Sequence, residues 1–137
     1  MAKDIYHETV KIALEKDNWI ITNDPLTLRI GRRDVFVDLA AEKLITATKE
    51  NKEIAVEIKS FINPSLVKDL ENALGQYILY YSLMMKQYPK RSLYLAIREE
   101  IFLDFFSEEI VTTVLAVNPI KILVFDSQKE EIVKWIE

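Results

Sequence analysis

Hydrophobic and polar positions along this chain change period several times, and each change marks an element. Across residues 3–16, Tyr6, Val10, Ala13 and Leu14 fall on one helical stripe with Lys and Glu elsewhere, which predicts an amphipathic helix. Asp4 is placed to cap its start. "NWIITNDP" predicts a short strand stopped at Asp24-Pro25. "DVFVDLAAEKLITA", residues 34–47, alternates and is rich in β-branched residues, so it predicts a second strand. "NKEIAVEIKSF" predicts a third, with Ile54, Val56 and Ile58 on one face and Ala55, Glu57, Lys59 and Phe61 on the other. The polar "TKENK" reads as the hairpin joining them.

The longest helix is predicted at "NPSLVKDLENALGQYILYYSLMM", with Asn63 as cap, Pro64 in the first turn and Pro89 closing the segment. Its apolar stripe is Leu66, Leu70, Leu74, Ile78 and Tyr81. "RSLYLAI" is a short apolar strand suited to burial on both faces. "SEEIVTTVLAV" predicts a helix capped by Ser107, with Glu108 and Glu109 in its first turn. "IKILVF" and "EIVKWI" predict two final strands joined by "DSQKE". The order α-β-β-β-α-β-α-β-β describes a mixed α/β layered domain, one sheet with helices packed on it.

Composition narrows the chemistry. A chain of 137 residues, half of them hydrophobic, fits one domain over residues 1–137 with a core of its own. It contains no Cys, which removes disulfides, thiolate metal sites and cysteine nucleophiles. The one His, His7, is expected to be an N-terminal helix residue with no ligand role. Any metal would be a hard cation on oxygen ligands. The net charge of −4 does not suggest a strongly basic nucleic-acid binder. The N-terminus lacks an apolar signal-peptide core, and no apolar run reaches the roughly 18 residues of a membrane span. The cytoplasm is the expected location, with no membrane partner.

One constellation could carry chemistry. A hairpin register in which paired numbers sum to about 95 sets Ala40 across from Ala55 and Asp38 across from Glu57. Facing carboxylates repel, and an isolated buried carboxylate is expensive. A divalent cation would resolve the cost, with Lys59 one pleat repeat along to orient water or neutralise charge. The bland readings stay open: E-x-K is common on solvated strand faces, and an Asp38–Lys59 ion pair would serve equally. Glu8, off the apolar stripe of the first helix, is either a third carboxylate or a solvated position. Gln76 and Tyr80 share one face of the long helix and either reach the site or pack in the core. Basic residues gather at Arg29, Arg32 and Arg33 and at Lys86, Lys90 and Arg91. Either group reads as a solvated surface or as a phosphate contact.

Asp38, then Glu57-x-Lys59, preceded by a helix with Glu8 and followed by one with Gln76 and Tyr80, resembles the PD-(D/E)XK nuclease superfamily. The stretches "KDIYHETVKIALEKDNWIITNDPL", "VDLAAEK", "IAVEIKSF", "ALGQY" and "LYLAI" resemble, more closely, the XisH family, excision controlling factors of the cyanobacterial fdxN DNA element. That resemblance spans nearly the whole chain. It implies a restriction-endonuclease-like mixed sheet flanked by helices, an α-β-β-β-α-β core with C-terminal additions. It implies a role in programmed DNA-element excision during heterocyst development, with DNA, a site-specific recombinase and a companion factor, XisI, as partners. Carried onto this sequence, it makes Asp38, Glu57 and Lys59 catalytic. Asp38 and Glu57 would be ligands of Mg²⁺ or Mn²⁺ with Glu8 as an accessory carboxylate, and Gln76 and Tyr80 would be accessory groups. Val37 stands where the superfamily signature has proline.

Two functions follow: a metal-dependent DNA endonuclease acting in excision, or a nuclease-fold regulatory subunit that works by binding DNA or partner proteins. The two C-terminal strands also offer an edge for a homodimer.

Overall fold

A computed structural model describes residues 3–45 and 50–137. Helix α1 (His7–Lys16) leads into β1 (Ile20–Asn23), β2 (Leu26–Ile30), β3 (Arg33–Val37), β4 (Leu39–Ile45) and β5 (Glu50–Ile58). Helix α2 (Leu66–Gln87) then crosses to β6 (Ser92–Arg98). Short helix α3 (Glu99–Leu103), a single 3-10 turn (Phe105–Ser107) and α4 (Glu109–Val117) return the chain to β7 (Ile122–Asp126) and β8 (Glu131–Ile136). This is the mixed α/β class expected.

Six strands form one sheet in the order β1-β4-β5-β6-β7-β8, while β2 and β3 pair only with each other. The strands β5, β6 and β7 run parallel, joined by helical crossovers, and the outer pairs are antiparallel. Parallel neighbours need such crossovers and are covered on both faces. β6 accordingly buries Leu93 through Ile97 without a break. One core layer lies under α2 and α4, where Ala55, Leu95, Tyr77 and Val111 meet. The other lies under α1, where Val10, Leu14, Val56 and Phe125 meet. Among the described residues no helix is long and apolar enough to cross a membrane.

Several boundaries differ from those the sequence predicts. α1 starts at His7, not at the third residue, and Asp4 caps nothing in it; its carboxylate accepts the Tyr6 N–H at 2.9 Å. Ser65, not Asn63, caps α2, accepting the Lys68 N–H at 3.2 Å, so Pro64 lies before the helix. The buried stripe of α2 is Leu70, Ala73, Tyr77, Tyr80 and Met84, whereas Ile78 and Tyr81 are exposed. A run of strict four-residue steps drifts off a 3.6-residue face, and alternating three and four stays on it. Ser107 belongs to the 3-10 turn, and Glu108 takes the N-cap of α4.

Two elements escape the sequence reading, β2 and α3. The predicted strand over 34–47 is in fact two, broken at Asp38. Of the predicted hairpin connection, residues 48–52, the first two lie outside the described residues and the last three belong to β5, which pairs with β4 from Glu50 onward. The register itself holds: Leu39 pairs with Val56 and Ala40 with Ala55. β7 is interior, so of the two C-terminal strands only β8 offers an edge.

Candidate functional site

Asp38 occupies the bend where the chain leaves the β2–β3 hairpin and enters the main sheet. Glu57 is the penultimate residue of β5 and is only 7% exposed. Each carboxyl meets a backbone N–H of the other's segment. The Ile58 N–H donates to Asp38 Oδ2 at 2.8 Å, and the Asp38 N–H points at Glu57 Oε1 at 3.4 Å. The chain then kinks: Phe61 takes a left-handed φ of 51°. The Arg98 guanidinium holds that kink by donating to the Ser60 and Phe61 carbonyls at 3.2 and 3.5 Å.

Burial sets the electrostatics of the pair. It pushes the Glu57 carboxyl up to about 9, with the neighbouring Asp38 charge adding to the effect. Burial also raises Asp38, opposed by the hydrogen bond from Ile58. Two acids in one desolvated place cannot both ionise cheaply, so one retains a proton. Lys59, one residue beyond β5, favours ionised Glu57 through its charge. It forms no direct pair with Asp38; its Nζ donates to Gln76 Oε1 on α2 at 3.0 Å. Tyr80, a turn further along α2, is buried, and its phenol is pushed up to about 12 by burial and then by the charges of Glu57 and Asp38.

Five of the six residues expected at the site, Asp38, Glu57, Lys59, Gln76 and Tyr80, therefore converge. Glu8 does not join them. It is exposed, 3.9 Å from Lys3, and its carboxylate lies within 4.8 Å of ligand atoms of His7 and Asp24 instead. Among the described residues no set of Glu8, Asp38 and Glu57 comes together at that spacing. α1 packs on the opposite sheet face from α2, which explains the separation.

His7 begins α1, as expected, and has a partner that the sequence does not show. It is 4% exposed, and its Nε2 lies 2.6 Å from Asp24 Oδ1. Lys11 Nζ donates to the other Asp24 oxygen at 3.0 Å. Burial works against ionisation of Asp24, but Lys11 and His7 outweigh it and hold the carboxyl below its ordinary range. The His7 Nδ1 is buried without a partner. A cavity of about 280 Å³ lined by Lys3, His7, Asp24, Pro25, Phe36 and Asp38 runs from this group to Asp38. Asp24 stands just before a proline at a strand end, a pattern that signals a turn and says nothing of a buried partner.

Two adjacent carboxyls, one buried and one half-buried, offer hard oxygen donors that suit a divalent cation, Mg²⁺ or Mn²⁺, which would offset the repulsion between them. Asp38 and Glu57 would hold it.

A search of curated proteins finds no match. Two solved structures do match. One is an XisH family protein from Nostoc punctiforme PCC 73102, at 40% identity and a TM-score of 0.88, with 98% of this chain and 100% of that one covered. Another is an fdxN element excision controlling factor protein from Anabaena variabilis, at 38% identity and a TM-score of 0.89, with the same coverage. The family model described as XisH protein matches residues 1–133. With the whole fold and nearly the whole sequence so matched, this chain belongs to the XisH family.

Proposed function

We propose that this protein is a controlling factor in the excision of a DNA element, and that it carries a metal-dependent phosphodiester site of the PD-(D/E)XK type. The first part is supported by its likeness to the Anabaena variabilis factor. The second is supported by one observation above all: half-buried Asp38 and buried Glu57 cross at one sheet junction, each meeting a backbone N–H of the other's segment, with Lys59 two residues beyond Glu57. A stable protein has little reason to bury two acids together unless something else binds there.

In this reading Asp38 and Glu57 hold Mg²⁺ or Mn²⁺, which when bound polarises a phosphoryl oxygen and lowers the pKa of a coordinated water. Lys59 offsets charge developing on the phosphorane, and Gln76 fixes the ammonium by its 3.0 Å hydrogen bond. Tyr80 closes the α2 side against bulk water. DNA is the substrate, and a site-specific recombinase and the companion factor XisI are partners in the excision step.

A second reading is a regulatory subunit that keeps the fold without cleavage. Its supporting observation is that Lys59 is already engaged by Gln76, combined with the acidic balance of −4. A Mn²⁺-dependent cleavage assay on supercoiled and branched DNA, with and without XisI, separates the two. Cleavage lost in Glu57→Ala and Lys59→Ala supports the enzyme. Silence of the wild type under every condition, with no Mn²⁺ bound in a soaked crystal, leaves the regulatory role.

A further inference from the structure

The two basic groups in the sequence are not equivalent in the fold. At the end of α2, Arg91 is spent on structure: it donates to the Ile54 carbonyl at 3.1 Å, lies 3.8 Å from Glu53, and stacks over Tyr88. The β2–β3 hairpin differs. Its residues, 26–37, hold three Arg against one Asp in a chain of net charge −4. Arg29 faces Asp34 across the strands at 3.4 Å, both exposed. Arg32 and Arg33 are exposed and pair with no acid among the described residues.

The hairpin leaves those two residues exposed at its tip. Leu26, Leu28 and Val37 are sunk in the core and fix its root. Ile30 pairs with Arg33, leaving a tip of Gly31 and Arg32. Gly31 has a φ of +61°, the value such a turn requires at its first central position and one that glycine takes without strain. The strands pair with each other and not with the main sheet, and burial ends short of the tip, where residues 31–34 are exposed. Phe36, on the outward face with Arg29 and Asp34, lines the cavity beside Asp38. At ~3.3 Å per residue, the six residues from Arg32 to Asp38 reach about 20 Å. That is about six base-pair steps of duplex at ~3.4 Å each.

We propose that the β2–β3 hairpin is a phosphate-gripping arm, in which Arg32 and Arg33 contact the backbone of DNA about half a helical turn from the bond presented to Asp38 and Glu57. The proposal rests on the nucleic-acid reading above and adds the surface that carries it. Arginine suits the task because its planar fork matches a phosphate and never loses its charge. The contact is to backbone, so it fixes register and reach and reads no sequence.

The test is fluorescence anisotropy of a labelled 30-base-pair duplex across a salt series, with the full chain and chelator present so that no cleavage intervenes. The double variant Arg32→Gln/Arg33→Gln is expected to bind about tenfold more weakly at low salt and to lower the salt slope by about 1.8, roughly 0.9 per lost phosphate contact. Arg32→Lys/Arg33→Lys is expected to restore the slope, and Lys86→Gln/Lys90→Gln to leave it unchanged. A double variant with wild-type affinity and slope overturns the arm, as does a wild type that binds no duplex at low salt. Mn²⁺ binding to each protein, measured alongside, keeps the two ideas apart. Metal bound without an arginine-dependent slope sinks the arm alone. An arginine-dependent slope without metal binding supports the arm and sinks the nuclease site.

Discussion

Replacing Glu57 by glutamine is the sharpest probe of the buried pair. Folding holds the Glu57 carboxyl at about 9 against an ordinary value of 4.5, so the group is protonated in the folded protein and ionised in the unfolded one between those values. A raised pKa gives stability that is complete below the unfolded value and is lost as pH climbs toward the folded one. Each pH unit in that window removes up to ~1.4 kcal/mol. Between about pH 6 and pH 8 the metal-free wild type should therefore lose on the order of 2–3 kcal/mol from this one group. Glu57→Gln keeps the shape and supplies an amide N–H in place of the acid proton, so it should remove that slope and gain on wild type by a similar amount. Urea unfolding at both pH values, in excess chelator, measures it. Trp19, 6% exposed and 5.5 Å from the Trp135 ring, reports the transition by fluorescence. Equal slopes in the two proteins, or a glutamine variant that loses ground as pH rises, would refute a protonated Glu57.

Three further outcomes follow from the same geometry. Mn²⁺ affinity should rise about tenfold per pH unit toward pH ~9, with about one proton released per ion, because Glu57 must give up its proton to bind; calorimetry in buffers of different ionisation heat reads the proton directly. Lys59→Ala should leave Mn²⁺ affinity within about twofold while cutting any cleavage by about a hundredfold or more, since the ammonium acts on developing charge; single-turnover assays with the metal saturating check this. Asp24→Ala strands His7 and Lys11 and should cost ~2–3 kcal/mol near neutral pH. The Asp24 pKa is lowered, so its contribution is present at neutral pH and fades as pH falls through the carboxylate range; unfolding curves of the two proteins should converge in acid.

The layers of the fold were legible because periodicity reports burial. Val10, Ala13 and Leu14 are buried on α1, and β6 is buried on both faces as its continuous apolar run implies. Caps were less legible. "DIYHE", "NPS" and "SEE" each offer more than one residue able to accept a helix N–H, and only the packed entry angle selects among them. β2 was missed because "LTLRI" is short and follows a proline, though its partner "RDVFV" and the glycine between them carried the hairpin signal. The pairing of His7 was not legible for a different reason. Its partner Asp24 is 17 residues away, in the bend between β1 and β2, and a lone polar residue at a helix start gives no sign of such a partner.

The bend at Asp38 matters most, because alternation cannot reveal it. Read as one strand, residues 34–47 place Asp38 on the face of Ala40 and leave its partner to a guessed register. In the fold, β3 ends at Val37 in one sheet and β4 begins at Leu39 in another. β5 runs past that point through Glu57 and Ile58, so its ladder with β4 stops short of its end. The Asp38 carboxylate takes the Ile58 N–H that this leaves open, and Glu57 faces the Asp38 N–H in return. The acids thus complete a sheet junction, a structural task one neutral amide could share. What a purely structural junction would not require is a second acid held to about 9 at a cost that grows with pH. If asparagine at 38 or glutamine at 57 stabilises the metal-free protein while abolishing Mn²⁺ binding, the junction has been kept acidic for its ligand and not for the fold.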